Sequence, residues 1–462
     1  MSLPTTANTA SAHAPYRRAV VGNPPELPAE RAPLGTTESS RPPQVTGSFQ
    51  SLVWKCQRAM WHITADKTLA GCHRWRAPGV TEVDVQRTGA GGAGKLGGLQ
   101  NSHSVWGSPV AATGIARGRQ AEVETATRNW LAGAGRSVGM ITLTVRHRRH
   151  ESLAELLAGL STAWTKLVSS RAFKGPGGIR ERYGIAHNNW FLEITHGDNG
   201  WHPHRHMVAF FERELSADEL AALRAELSVK WAESVTKVGL LTPSAERGVD
   251  VAQVTGDESA GKVGVYAAKG QFAGLAAEVT GGAVKQARGG NRTPFEILLD
   301  VAEALDAGRK PSARDVALWR EYEQATKGKQ QRRWSVGAVD ALGVNIVGEA
   351  ELAEMETTEE EQATTPEQPT SLVAIEPSGW RMLASNVALR RELCEAANTG
   401  MNAWAGERAV RALLDRHGVP YRRVMVAHAE QVPVVRSARW SGTARREARA
   451  VLESRPVQGV LL

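Results

Sequence analysis

Residues 193–211 read Glu-Ile-Thr-His-Gly-Asp-Asn-Gly-Trp-His-Pro-His-Arg-His-Met-Val-Ala-Phe-Phe. Three histidines, His202, His204 and His206, stand at alternate positions. Successive side chains of an extended strand point to opposite faces, so the three imidazoles share one face. The run 207–211 carries the same strand into an apolar core. Upstream, residues 190–195 read as a partner strand, joined by the turn Gly197-Asp198-Asn199-Gly200. Such a hairpin brings the Glu193 carboxylate near the histidine face. Two imidazoles and a carboxylate make a divalent-metal site with positions open for a substrate. The plainer alternative is a polar strand end whose histidines face water.

Regular patterns surround this hairpin. Residues 139–145, Gly-Met-Ile-Thr-Leu-Thr-Val, read as a strand. Leu153, Leu156, Leu157, Leu160, Trp164 and Leu167 recur at helical spacing over 152–169. Ser216-Ala217-Asp218-Glu219 is a capping box, opening a helix whose buried stripe is Leu220, Leu223, Leu227, Trp231 and Val235. Its tryptophan, like Trp164, is assigned to the core. Residues 248–254 form a further strand, 259–272 a helix bearing Tyr266, and 294–325 a helical stretch. Strands with interleaved helices on one antiparallel sheet define an α+β fold.

The order of these pieces resembles the HUH endonuclease superfamily, and within it the rolling-circle replication initiators (Rep proteins) of actinobacterial plasmids. The likeness covers roughly residues 95–340. The strand 139–145 resembles the first motif, 193–206 the metal motif, and Val265-Tyr266-Ala267-Ala268-Lys269 the Tyr-x-x-Lys motif. The resemblance implies an RRM-like catalytic core with helices packed on the sheet and the histidine strand central. It also implies Mg²⁺ or Mn²⁺ held by Glu193, His204 and His206, with His202 as an alternative ligand or a hydrogen-bond partner of one. Tyr266 would be the nucleophile that nicks one strand of plasmid origin DNA, single-stranded or in a hairpin. The products would be a 5′-phosphotyrosine and a 3′-OH primer, and the strand would later be rejoined. Lys269, one helical turn on, would lower the phenol pKa or stabilise phosphorane charge, or else bind a neighbouring phosphate. Host helicase and polymerase are the implied protein partners, because the chain carries no helicase motif.

Three departures stand out. Arg205 occupies a position where the metal motif expects an apolar residue. Lys262 stands where some related initiators place a glutamate that ends the cycle. Ser102, Ser108 and Ala111 fall where the family's cysteine-rich block has cysteines, so no zinc is expected there. Other readings are a relaxase, disfavoured because Tyr266 follows the histidines, and a transposase, disfavoured by the long tails. A non-catalytic DNA-binding regulator would not need the Glu, His and Tyr set.

Composition agrees with a polyanionic partner. The 462 residues carry a formal charge of +8 and a pI near 9.5. Three scattered cysteines, Cys56, Cys72 and Cys394, point to a reducing cytosol rather than a disulfide framework. No apolar run suggests a membrane span or a signal core, so a cytoplasmic protein is expected. The oligomeric state is not legible. Five regions are expected: a disordered tail 1–50, an N-terminal accessory region 51–135, the HUH domain 136–340, an acidic linker 341–377, and a small basic C-terminal region 378–462. The last reads equally as a DNA- or partner-binding module and as an ordinary solvated surface. Gly89-Ala90-Gly91-Gly92-Ala93-Gly94-Lys95 imitates a phosphate-binding loop, but Leu96 replaces the hydroxyl that would hold Mg²⁺.

Overall fold

The structure is a computed structural model that describes residues 47–87, 94–254, 291–354, 370–400 and 402–424. Tyr266, Lys269 and Lys262, the glycines 89–93, and the arginines beyond 424 lie outside the described residues. Among the described residues, no helix is long and apolar enough to cross a membrane.

Among the described residues, nine strands form two antiparallel sheets: β1 (Val83–Arg87), β2 (Gly94–Gly97), β3 (Ser137–Thr144), β4 (Ile185–Gly197), β5 (Gly200–Phe211), β6 (Val249–Val254), β7 (Arg332–Trp334), β8 (Thr370–Ile375) and β9 (Tyr421–Arg423). The larger sheet has the order β6-β3-β5-β4-β7, with the histidine strand β5 at its centre. The mixture of helices with antiparallel sheet is α+β, as the sequence predicts. The β4–β5 hairpin pairs Gly197 with Gly200 across Asp198-Asn199. Gly200 takes φ +89°, a conformation that glycine adopts without a Cβ penalty.

One face of this sheet carries Leu143, Leu192, Ile194, Met207, Ala209 and Phe211. Two amphipathic helices cover it: α3 (Leu153–Ser169) and α4 (Ala217–Thr236), after α1 (Gly47–Ile63) and α2 (Pro109–Leu131) in chain order. The expected stripes are buried except for Leu220, which is half-buried, and Trp231 is fully buried. Both bonds of the Ser216–Glu219 capping box are present. The opposite face packs Val208, Phe210 and Phe191 against Val123, Ala126 and Trp130 of α2 and against Ala338 and Leu342. The histidines lie on this second face, nearer the hairpin turn.

Three expectations change, and the phosphate-loop likeness meets a further obstacle. The first described helix begins at Gly47, inside the stretch 1–50 assigned to a tail. The helical region 294–325 is two helices, α5 (Pro294–Asp306) and α6 (Ala313–Thr326), broken where Gly308 takes φ +66° and Ser312 caps the second. Lys95 lies on β2, not at the head of a helix, so it cannot serve as a phosphate-loop lysine. The acidic stretch 341–377 ends in the buried strand β8, which pairs with β1.

That pairing makes the second sheet, β2-β1-β8-β9, from segments far apart in sequence. Among the described residues, three helices follow β8: α7 (Pro377–Leu383), α8 (Val387–Ala397) and α9 (Ala403–Arg416). Val83, Val85, Leu372, Val373 and Ile375 are buried with Leu393, Val410 and Leu414 in a core of their own. Gly94 permits the close approach of α8, since a Cβ there would sit 2.2 Å from the Cys394 carbonyl oxygen.

Candidate active site

Strand register assembles the site. On β5, His202, His204 and His206 face the same way; on β4, Thr195, Glu193 and Phe191 are their respective partners. On the other side, β3 sets Thr144 opposite His204 and Thr142 opposite His206. Each threonine hydroxyl lies 3.0 Å from the Nδ1 of its histidine. Both rings are thereby oriented by one nitrogen, which leaves Nε2 as the nitrogen directed to other partners. At His206, Nε2 lies 2.7 Å from Glu193 Oε2, and the ring stacks on Phe191 with centroids 5.0 Å apart. Thr144 is itself held from behind, because the Trp231 indole N–H donates to its carbonyl oxygen at 2.8 Å.

His202 does not point away from this group. Its ring sits edge-on to His204, with centroids 4.1 Å apart. Its Nδ1 lies 2.6 Å from His147 Nε2. His147 was not anticipated, although it follows the Thr142-x-Thr144 strand by only three residues. The two threonines were also missed, yet they carry the same period of two as the histidines they face.

Electrostatics favour neutral imidazoles. Burial holds His204 well below the usual histidine range, and the neighbouring His202, His206 and His147 add to this. Burial, then His147, pushes His202 down to about 4. A neutral imidazole has a lone pair to offer a metal; a protonated one does not.

The structure therefore brings Glu193, His204, His206 and His202 together. Glu193 and His206 meet directly, however. Among the described residues, no group of three or more His, Cys, Asp or Glu is disposed to hold a metal ion. The donor chemistry suits a divalent ion: two imidazoles oriented through Nδ1 and one partly exposed carboxylate. Such an ion would have to take the place of the Glu193–His206 contact.

Arg205 departs from the expected motif without disturbing this face. Its side chain lies on the opposite face of the sheet, with its guanidinium carbon 3.9 Å from the Trp190 ring centroid and 5.1 Å from that of Trp164. Two aromatic faces thus accept a cation in an apolar slot. Burial lowers its pKa to about 10.

Around Ser102 and Ser108, Cys72 Sγ lies 3.4 Å from Ser108 Oγ and accepts from the Ser102 amide at 3.2 Å. Hydroxyls thus gather around one cysteine. Burial raises the Cys72 pKa, so it remains a thiol.

No protein-family model matches the chain, and no solved structure matches it. A Protein rep from Streptomyces lividans is 27% identical over 311 residues, covering 57% of this chain and 68% of that protein.

Proposed function

We propose that this chain is a plasmid replication initiator that nicks one DNA strand through Tyr266. The observation that carries the reading is the β3–β5–β4 register, which sets two threonine-oriented imidazoles beside the Glu193 carboxylate. The similarity to a Protein rep supports the same reading. Glu193, His204 and His206 would hold Mg²⁺ or Mn²⁺, with His202 as an alternative ligand or a support to His204. The ion, when bound, would polarise the scissile phosphate.

The remaining chemistry belongs to the chain. The Tyr266 oxygen forms a bond to phosphorus as the P–O3′ bond breaks. The phenolic proton is lost, the departing 3′ oxygen gains one, and the bond energy is kept as a 5′-phosphotyrosine. Lys269 would offset charge at the phosphorus or hold an adjacent phosphate. Arg292, at the far end of the segment that carries Tyr266, exchanges two backbone hydrogen bonds with His196, next to Thr195, the partner of His202. Arg146, Arg148 and Arg149 are exposed immediately beside His147. They would track the phosphate backbone and make binding fall as salt rises. Strand separation and synthesis would fall to a host helicase and polymerase.

The test is incubation with single-stranded origin DNA and Mn²⁺. A denaturant-stable adduct should form and map to Tyr266 by mass spectrometry. Tyr266→Phe should bind the DNA yet form no adduct, a loss beyond the ~10²–10⁴-fold typical of an acid–base helper. An adduct retained in Tyr266→Phe would move the nucleophile elsewhere. Cleavage without an adduct would mean attack by water instead.

A further inference from the structure

The second sheet carries a surface that the histidine site does not use. On α9, Trp404, Arg408, Arg411 and Asp415 recur at helical spacing and share one face. Trp404 is 66% exposed, the most exposed tryptophan among the described residues. The Arg408 guanidinium carbon lies 5.7 Å from its ring centroid. From β9, Arg423 reaches the same patch and meets Glu407 at 3.3 Å. Glu407 also meets Arg411 at 3.8 Å. The Arg411 Nε donates to the Tyr421 hydroxyl at 3.3 Å, and that hydroxyl donates to Asp415 at 3.0 Å. These contacts hold the arginines in place around a shallow depression bordered by the indole. Arg416 is exposed at the end of the same helix. Arg408, Arg411 and Arg423 outnumber Glu407 and Asp415, so the patch is net positive.

We propose that Trp404 and the arginines around it form a stacking platform for single-stranded DNA. A positive surface attracts phosphates, and an exposed indole offers a flat ring to a base. Duplex bases are already stacked on one another and cannot use the ring. An acidic peptide would pair with the arginines but gain little from an indole at the centre. The proposal rests only on the DNA-binding part of the function given above, not on Tyr266 chemistry.

The test uses the full chain with EDTA present and a fluorescein-labelled oligothymidylate that has no nick site. Trp404→Ala should weaken binding to the single strand about tenfold. It should leave the salt slope and the affinity for a duplex of equal length unchanged. Trp404→Phe should restore most of the loss. The Arg408→Gln, Arg423→Gln double variant should lower the single-strand salt slope by roughly 0.7 per charge removed. Wild-type single-strand affinity in Trp404→Ala, at an unchanged melting temperature, would overturn the proposal. Equal losses on single strand and duplex would overturn it too. Displacement of the oligonucleotide by polyglutamate in a Trp404-dependent manner would assign the patch to an acidic peptide instead. Adduct formation on origin DNA is scored separately, so failure of Tyr266 chemistry cannot be mistaken for failure of this surface.

Discussion

Thr144 is one hydroxyl placed where a histidine must be held. It lies 3.0 Å from His204 Nδ1, and a hydroxyl can donate or accept as the imidazole tautomer requires. Were His204 to hold a metal, Nδ1 would carry the proton and donate to the threonine oxygen. Partners of this kind typically change metal affinity by about 10–100-fold. Thr144→Val keeps the branched shape and strand preference while removing the hydroxyl. It should weaken Mn²⁺ binding by about that factor, measured by calorimetric titration, with little change in melting temperature. Equal Mn²⁺ affinity in the two proteins would refute the role given to Thr144. At this scale the sequence was informative about the histidine face and silent about its supports. The His202-x-His204-x-His206 alternation declares a shared face, whereas threonines in a strand are common and gain meaning only from register. His147 was hidden for a related reason: the strand pattern ends at Val145, so its approach to His202 depends on how the chain turns afterwards.

Among elements, β7 shows how a short strand is fixed. It has three residues and pairs along the outer edge of β4. Such a strand has little pairing energy of its own. It is held instead by Arg332, which meets Glu122 of α2 in an ion pair with side chains only 10% and 5% exposed. Arg119, one turn earlier, meets Gln331 and Glu349, and burial lowers its pKa to about 9. Glu122→Ala would leave a buried guanidinium without its counter-charge, at a cost of about 3–5 kcal/mol. The first urea transition should move to clearly lower denaturant in Glu122→Ala and less so in Glu122→Gln, which keeps an acceptor. A midpoint unchanged in Glu122→Ala would show that β7 is held by other contacts. The long elements were legible because their periods are: the α3 stripe and the Ser216–Glu219 box specify helices locally. β7 was not, because Arg332-Arg333-Trp334 has no alternation to read, and its reason for being a strand lies on a helix some two hundred positions away.

For the whole molecule, the revealing feature is that β1 pairs with β8. The sequence suggests an accessory region near the start, an acidic linker and a basic end; the fold joins parts of all three into one sheet. Composition misled here because Leu372-Val373-Ala374-Ile375 is a short apolar run at the edge of a glutamate-rich stretch. Nothing local could say that its partner was Val83-Asp84-Val85. The larger sheet, by contrast, takes all five strands from residues 137–334, and its four longer strands are patterned segments. The two sheets should therefore respond differently to truncation. Ending the chain after residue 369 removes β8, β9 and the helices that bury Val83 and Val85, both of which are fully buried. Each loses about 1.5–3 kcal/mol of burial, and β1 gains an unpaired apolar edge of the kind that drives self-association. The truncated protein should bind a hydrophobic dye and show a concentration-dependent increase in size by light scattering. Its histidine site should still bind Mn²⁺, because every residue placed there comes from β3, β4, β5 and the loop after β3. A monodisperse truncated protein with unchanged dye binding would mean that β1 and β2 find cover elsewhere. Loss of Mn²⁺ binding together with association would instead mean that the two sheets stand or fall as one cooperative unit.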